Sequence, residues 1–120
     1  MRKDRFQALL KTTHDRMVEL TATKGEEYAN NTPVGEVITQ AQLNAEDQHA
    51  NFKRLADELG MTPEQILSVY LTKHLDAIKS FLKRGRTFSE PIEGRIDDAI
   101  LYLILLKGLT IERMEQDHRP

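Results

Sequence analysis

Lys73 and His74 stand side by side in the apolar sector of a helical pattern, although polar positions lay open to both. One face of that segment reads Ile66, Tyr70, Lys73, Ala77, Phe81, and the adjacent one reads Leu67, Leu71, His74, Ile78, Leu82. Ser68, Thr72, Asp76, Lys79 and Lys83 fill the solvated side. A lone histidine there is commonly a hydrogen-bonded core residue, and a lysine can snorkel along a boundary. Both together make a purely structural role less comfortable. Downstream, Glu93 and Asp97 lie four apart on a face that continues into Ile100, Leu101 and Ile104, and Asp98 shares a face with Leu101, Tyr102 and Leu105. A carboxylate among apolar neighbours must be paired, hydrogen-bonded or metal-bound. Two arrangements meet that demand. One is an internal ion-pair network with Arg95, Lys24 or Lys73. The other is the oxygen-rich site that Mg²⁺ (or Mn²⁺) prefers, with Glu26 or Glu27 as a further ligand. Clustered core carboxylates favour the second, since perturbed charges gather at functional sites.

Four helices are predicted to position these groups. The first runs from about Asp4 to Tyr28 on the stripe Phe6, Leu9, Leu10, Thr13, Met17, Leu20, which continues into Lys24 and then Glu27 or Tyr28. Residues 30–42, with their NNTPVGE string, form an irregular loop. The second helix spans roughly Leu43 to Leu59 and stops at Gly60. Thr62-Pro63-Glu64-Gln65 then reads as a capping box with proline at the first helical position, and the third helix runs to about Arg84 before Gly85. The fourth, about Ile92 to Met114, is apolar on almost every side, and the tail 115–120 is expected to fray. The expected fold is therefore all-α: one four-helix bundle-like domain over residues 1–120. A second copy of the chain, in a homodimer or larger homo-oligomer, would help enclose the fourth helix.

Composition removes several chemistries. With 17 Lys+Arg against 19 Asp+Glu there is no general basic field for a phosphate backbone, so nucleic acid is not the expected partner. The absence of cysteine excludes disulfides, zinc-thiolate sites and thiol nucleophiles. The N-terminus has no signal-peptide core, and the longest apolar run, Ala99 to Leu106, is too short to cross a bilayer, so a cytoplasmic location without membrane association is expected. The segment LADELGMTPEQIL has the small-residue spacing of helix-turn-helix DNA readers. Its second helix would, however, present Thr62, Pro63, Glu64 and Gln65 to the bases, a poor set of donors, so DNA reading stays a minor alternative.

Taken in order, KGEEYA, HANF, a G-x-T-P turn, KHLDAI and EPIEGRIDDAILYLILL resemble the phage-associated nucleotide-modification-associated small helical domains. Those are in turn similar to the MazG-like all-α nucleoside triphosphate pyrophosphohydrolases. The resemblance covers Lys24 to about Leu109. It implies Mg²⁺ held by carboxylates on two helices and hydrolysis of a (deoxy)nucleotide between its α and β phosphates, in the cytoplasm of a host if the chain is phage-encoded. Glu26 or Glu27 matches the first acidic motif, and Asp98, four before Tyr102, matches the closing one. The two glutamates are adjacent here rather than three apart, and Arg95 stands three before Asp98, so Glu93 and Asp97 would substitute as ligands from the neighbouring face.

On that reading Glu26, Glu27, Glu93, Asp97 and Asp98 form the metal set, and Glu27, Asp98 and His74 are catalytic, with His74 or a carboxylate orienting water. Lys24, Tyr28, Asn51, Lys73 and Arg95 bind the nucleotide. Asn51 suits a base or sugar edge, and Phe52 or Tyr70 is placed to stack on the base. The rival is a non-catalytic nucleotide-binding accessory or a sponge for a signalling nucleotide, which keeps the cations and needs no carboxylate cage. A purely structural helical oligomer, with every charge in a salt bridge and no pocket, is the third possibility.

Overall fold

The computed structural model describes residues 1–30, with side chains through residue 22, and residues 47–85 and 91–118. Every regular element among them is helical: α1 (Lys3–Asn30), α2 (Ala50–Leu59), α3 (Pro63–Arg84) and α4 (Ile92–Asp117). The expected loop 30–42 and the expected start of the second helix at Leu43 fall outside the described residues from residue 31 onward. The chain divides into two compact units, Met1–Ala50 and Asn51–Pro120.

In the first unit α1 is a single helix whose first ten residues, Lys3–Thr12, are all exposed; among its described side chains Met17 is buried. Towards α2, the Asp47 carboxylate accepts the His49 backbone N–H at 2.9 Å, and the Asp47 carbonyl accepts that of Ala50 at 3.1 Å. These bonds satisfy donors that a helix start leaves orphaned.

The second unit holds the core that positions the site. Phe52 and Ala56 of α2, Ile66 and Leu67 of α3, and Leu109 of α4 form its centre. Leu55, Leu71, Tyr102, Leu105 and Leu106 pack around them. Leu67 is wholly buried. Gly60 ends α2 at φ 65°, in the left-handed region that a side chain resists. The capping box is complete: the Thr62 hydroxyl accepts the Gln65 N–H at 3.2 Å, and the Gln65 side chain accepts the Thr62 N–H at 2.9 Å. Gly85 closes α3 at φ 77° and donates to the Phe81 carbonyl.

α3 and α4 run antiparallel along one seam, Tyr70 lying by Tyr102 and His74 by Asp98. α4 reaches Asp117, three residues beyond the expected end, because the His118 N–H still reaches the Met114 carbonyl at 3.2 Å. Among the described residues this helix is not enclosed on every side. Ala99, Leu101 and Leu109 are buried, but Ile96, Leu103, Ile104, Ile111 and Met114 are 42–55% exposed. These five occupy a single stripe at helical spacing.

Candidate functional site

The α3–α4 seam brings together four of the groups that carry chemistry. His74 comes from α3; Arg95, Asp98 and Tyr102 come from α4 and, three or four residues apart, share its inward side. The Arg95 guanidinium lies 3.3 Å from His74 Nδ1, and the Asp98 carboxylate lies 3.8 Å from the same nitrogen. A guanidinium carries only donors, so towards Arg95 His74 Nδ1 would accept, whereas towards the Asp98 carboxylate the same nitrogen would donate. The His74 ring stacks on Tyr102, centroids 5.1 Å apart, and its side chain is 13% exposed, against 42% for Asp98. Burial, then the Asp98 charge and Tyr70, push the Tyr102 phenol above its ordinary range, so it keeps its proton at neutral pH.

An aromatic group extends this cluster along the seam. Phe52 meets Tyr70 and Tyr102 edge-on, each at 6.0 Å and 71°. Tyr70 and Tyr102 are themselves parallel, 3° apart in plane with centroids 6.2 Å apart. Phe52 is core, whereas Tyr70 is 40% exposed.

The structure corrects several sequence expectations. Glu93 is exposed and Asp97 only half-buried, so neither is a core carboxylate that demands a metal. Asp97 precedes Asp98 by one residue, a rotation of about 100° around the helix, and this directs the two to different faces. Glu93, Asp97, Asp98 and His74 do not bring three ligand atoms within 4.8 Å of one another, so among the described residues α3 and α4 offer no preformed carboxylate cage. Lys73 is exposed rather than inside the apolar sector, because α4 covers α3 along one seam and Lys73 lies just off it. Asn51 is exposed at the start of α2, where its side-chain oxygen accepts from Arg54 at 3.0 Å. Lys24, Glu26, Glu27 and Tyr28 sit on the backbone of α1, but their side chains fall outside the described residues.

Mg²⁺ usually keeps several waters and is held by one or two carboxylates together with substrate phosphates. The half-exposed Asp98 carboxylate could serve as one such ligand.

Sequence reasoning did not foresee two cross-helix pairs near the far end of α4. Lys53 donates to Glu112 at 3.2 Å, and Arg113 pairs with Glu64. They border a cleft of about 150 Å³ floored by Leu109 and Pro63. Burial pushes the Glu64 carboxyl up, but the Arg113 hydrogen bond and charge more than reverse this and hold it below the usual range. A lowered folded-state value means stability present above the unfolded value and lost as pH falls through the folded one. Glu64→Gln is therefore expected to flatten the acid limb of melting temperature against pH; a limb identical to wild type would remove Glu64 from the acid response. This pairing also occupies the first turn of α3, the surface a DNA-reading helix would present. Compared with protein-family models, curated proteins and solved structures, the chain matches none.

Proposed function

We propose that this chain binds a nucleoside polyphosphate on the α3–α4 seam and, with Mg²⁺ or Mn²⁺, hydrolyses it between the α and β phosphates, acting on the cytoplasmic nucleotide pool as MazG-like pyrophosphohydrolases do. The observation that carries this reading is the convergence of Arg95, His74 and Asp98 beside Tyr102. It joins a phosphate-binding cation, a titratable imidazole, a carboxylate and an aromatic surface. In the structure the Arg95 guanidinium lies against His74 Nδ1. Drawing Arg95 onto a phosphate would open that nitrogen to a water molecule, and His74 would then serve as base only when substrate is present. Asp98 would anchor the metal, which supplies charge neutralisation at the phosphates.

One observation favours a second reading. Without a converged set of carboxylates on α3 and α4, the same cluster suits a nucleotide-binding accessory or sponge that releases no product. The test is to incubate the protein with each nucleoside triphosphate and Mg²⁺, following pyrophosphate release and the melting temperature together. Turnover supports the hydrolase. Stabilisation by one nucleotide without turnover selects the binder, and neither effect with any nucleotide defeats both.

The proposed macromolecular partner is a second copy of the chain, seated on the exposed stripe of α4. The stripe is self-complementary. An antiparallel pair of α4 helices with its twofold axis between Leu103 and Ile104 sets Ile96 of one copy opposite Ile111 of the other. Ile104→Glu is expected to convert a dimer to a monomer, read as solution mass by light scattering. A wild-type protein that is monomeric at micromolar concentration would remove this partner. No described helix is long and apolar enough to cross a membrane.

A further inference from the structure

The seam has a direction: its aromatic end and its charged end are separate. Tyr70, Phe52 and Tyr102 meet at one level; His74 and Asp98 follow along α3 and α4, and Arg95 comes last. From Tyr102 to Arg95 is seven residues of α4, about 10 Å along its axis. A nucleoside triphosphate has the same polarity, a flat apolar base at one end and its anionic charge at the other.

The geometry points to Tyr70 as the base-stacking platform of the site, with the phosphates running towards Arg95. This rests on the nucleotide reading above and deepens it. Three observations support it. The Tyr70 ring lies parallel to that of Tyr102, with centroids 6.2 Å apart, so a base laid on its other face extends an existing stack. Phe52 abuts both rings edge-on from the core and fixes their orientation before any ligand arrives, which lowers the ordering cost of binding. Tyr70 is also the exposed member of the three, so the stack has an accessible end. A tyrosine face offers no donor and acceptor pattern to a base, so this contact tolerates purines and pyrimidines alike. Base preference must then come from other contacts.

Calorimetric titration with dATP, dGTP, dCTP and dTTP, beside inorganic tripolyphosphate, separates the two ends. Wild type is expected to bind at least one nucleotide more tightly than tripolyphosphate. Tyr70→Ala should weaken nucleotide binding roughly 5- to 150-fold, the usual effect of removing one base–aromatic stack, and leave tripolyphosphate unchanged. Tyr70→Phe should retain wild-type affinity for both, and Arg95→Ala should weaken both. Melting temperatures check that each variant folds. If Tyr70→Ala leaves nucleotide binding intact, or weakens nucleotide and tripolyphosphate equally, the platform is wrong while the nucleotide reading stands. If wild type binds tripolyphosphate as tightly as every nucleotide, the base makes no contact and the platform again fails. If wild type binds none of these ligands, the reading beneath the platform fails with it.

Discussion

Under the proposed hydrolysis, Asp98→Asn is expected to lower pyrophosphate release by about 100-fold or more, the scale on which one lost electrostatic anchor acts at a transition state. The substitution keeps shape and removes charge. The side chain is 42% exposed, so the melting temperature should move little. Binding of nucleotide through Arg95 should survive, which makes the loss one of turnover rather than of affinity. Glu93→Gln is the matched control: Glu93 is exposed on a different face of the same helix, and its neutralisation should leave activity near wild type. Activity that survives Asp98→Asn, or is lost equally in Glu93→Gln, would overturn Asp98 as the proposed metal anchor.

Leu67→Ala should be the most damaging single truncation for stability. Leu67 is wholly buried among Phe52, Ala56, Ile66 and Leu109, where α2, α3 and α4 meet. Removing a buried leucine side chain loses its transfer free energy and leaves a cavity its neighbours only partly fill, about 2–5 kcal/mol. Leu82→Ala, at a position 75% exposed on the same helix, should cost no more than about 0.5 kcal/mol. Denaturant unfolding of both variants measures the contrast. A Leu67→Ala cost below about 1 kcal/mol would mean that the core is centred elsewhere.

The helix limits were legible because they are set locally. Thr62 and Gln65 lie three residues apart, and Gly60 and Gly85 hold left-handed conformations that few other residues adopt, so the sequence alone locates both ends of α3. The site was legible only in part. Helical spacing showed that His74 and Asp98 share faces with apolar residues, and the seam does bring them together. The same spacing could not separate Lys73 from His74, because both fall within a broad apolar sector and only the line of contact with α4 decides which is covered. Glu93 and Asp97 failed for a related reason. A helix apolar on all sides carries no mark of which side meets its neighbour, so every carboxylate on it reads as buried. The Arg95–His74 contact, between residues 21 apart, and the Lys53–Glu112 and Glu64–Arg113 pairs depend on how the helices cross, and no local pattern encodes that.

The caps of α3 also bear on the order in which the structure assembles. Both ends are fixed by contacts within a few residues, so closing those short loops costs little chain entropy and does not wait for tertiary structure. α3 and α4 are then neighbours in the chain as well as in space. Helical arrangements dominated by such nearby contacts form on the order of microseconds to milliseconds. The seam that carries His74, Arg95, Asp98 and Tyr102 thus joins two helices that follow one another in the chain, the first of them with both ends set locally.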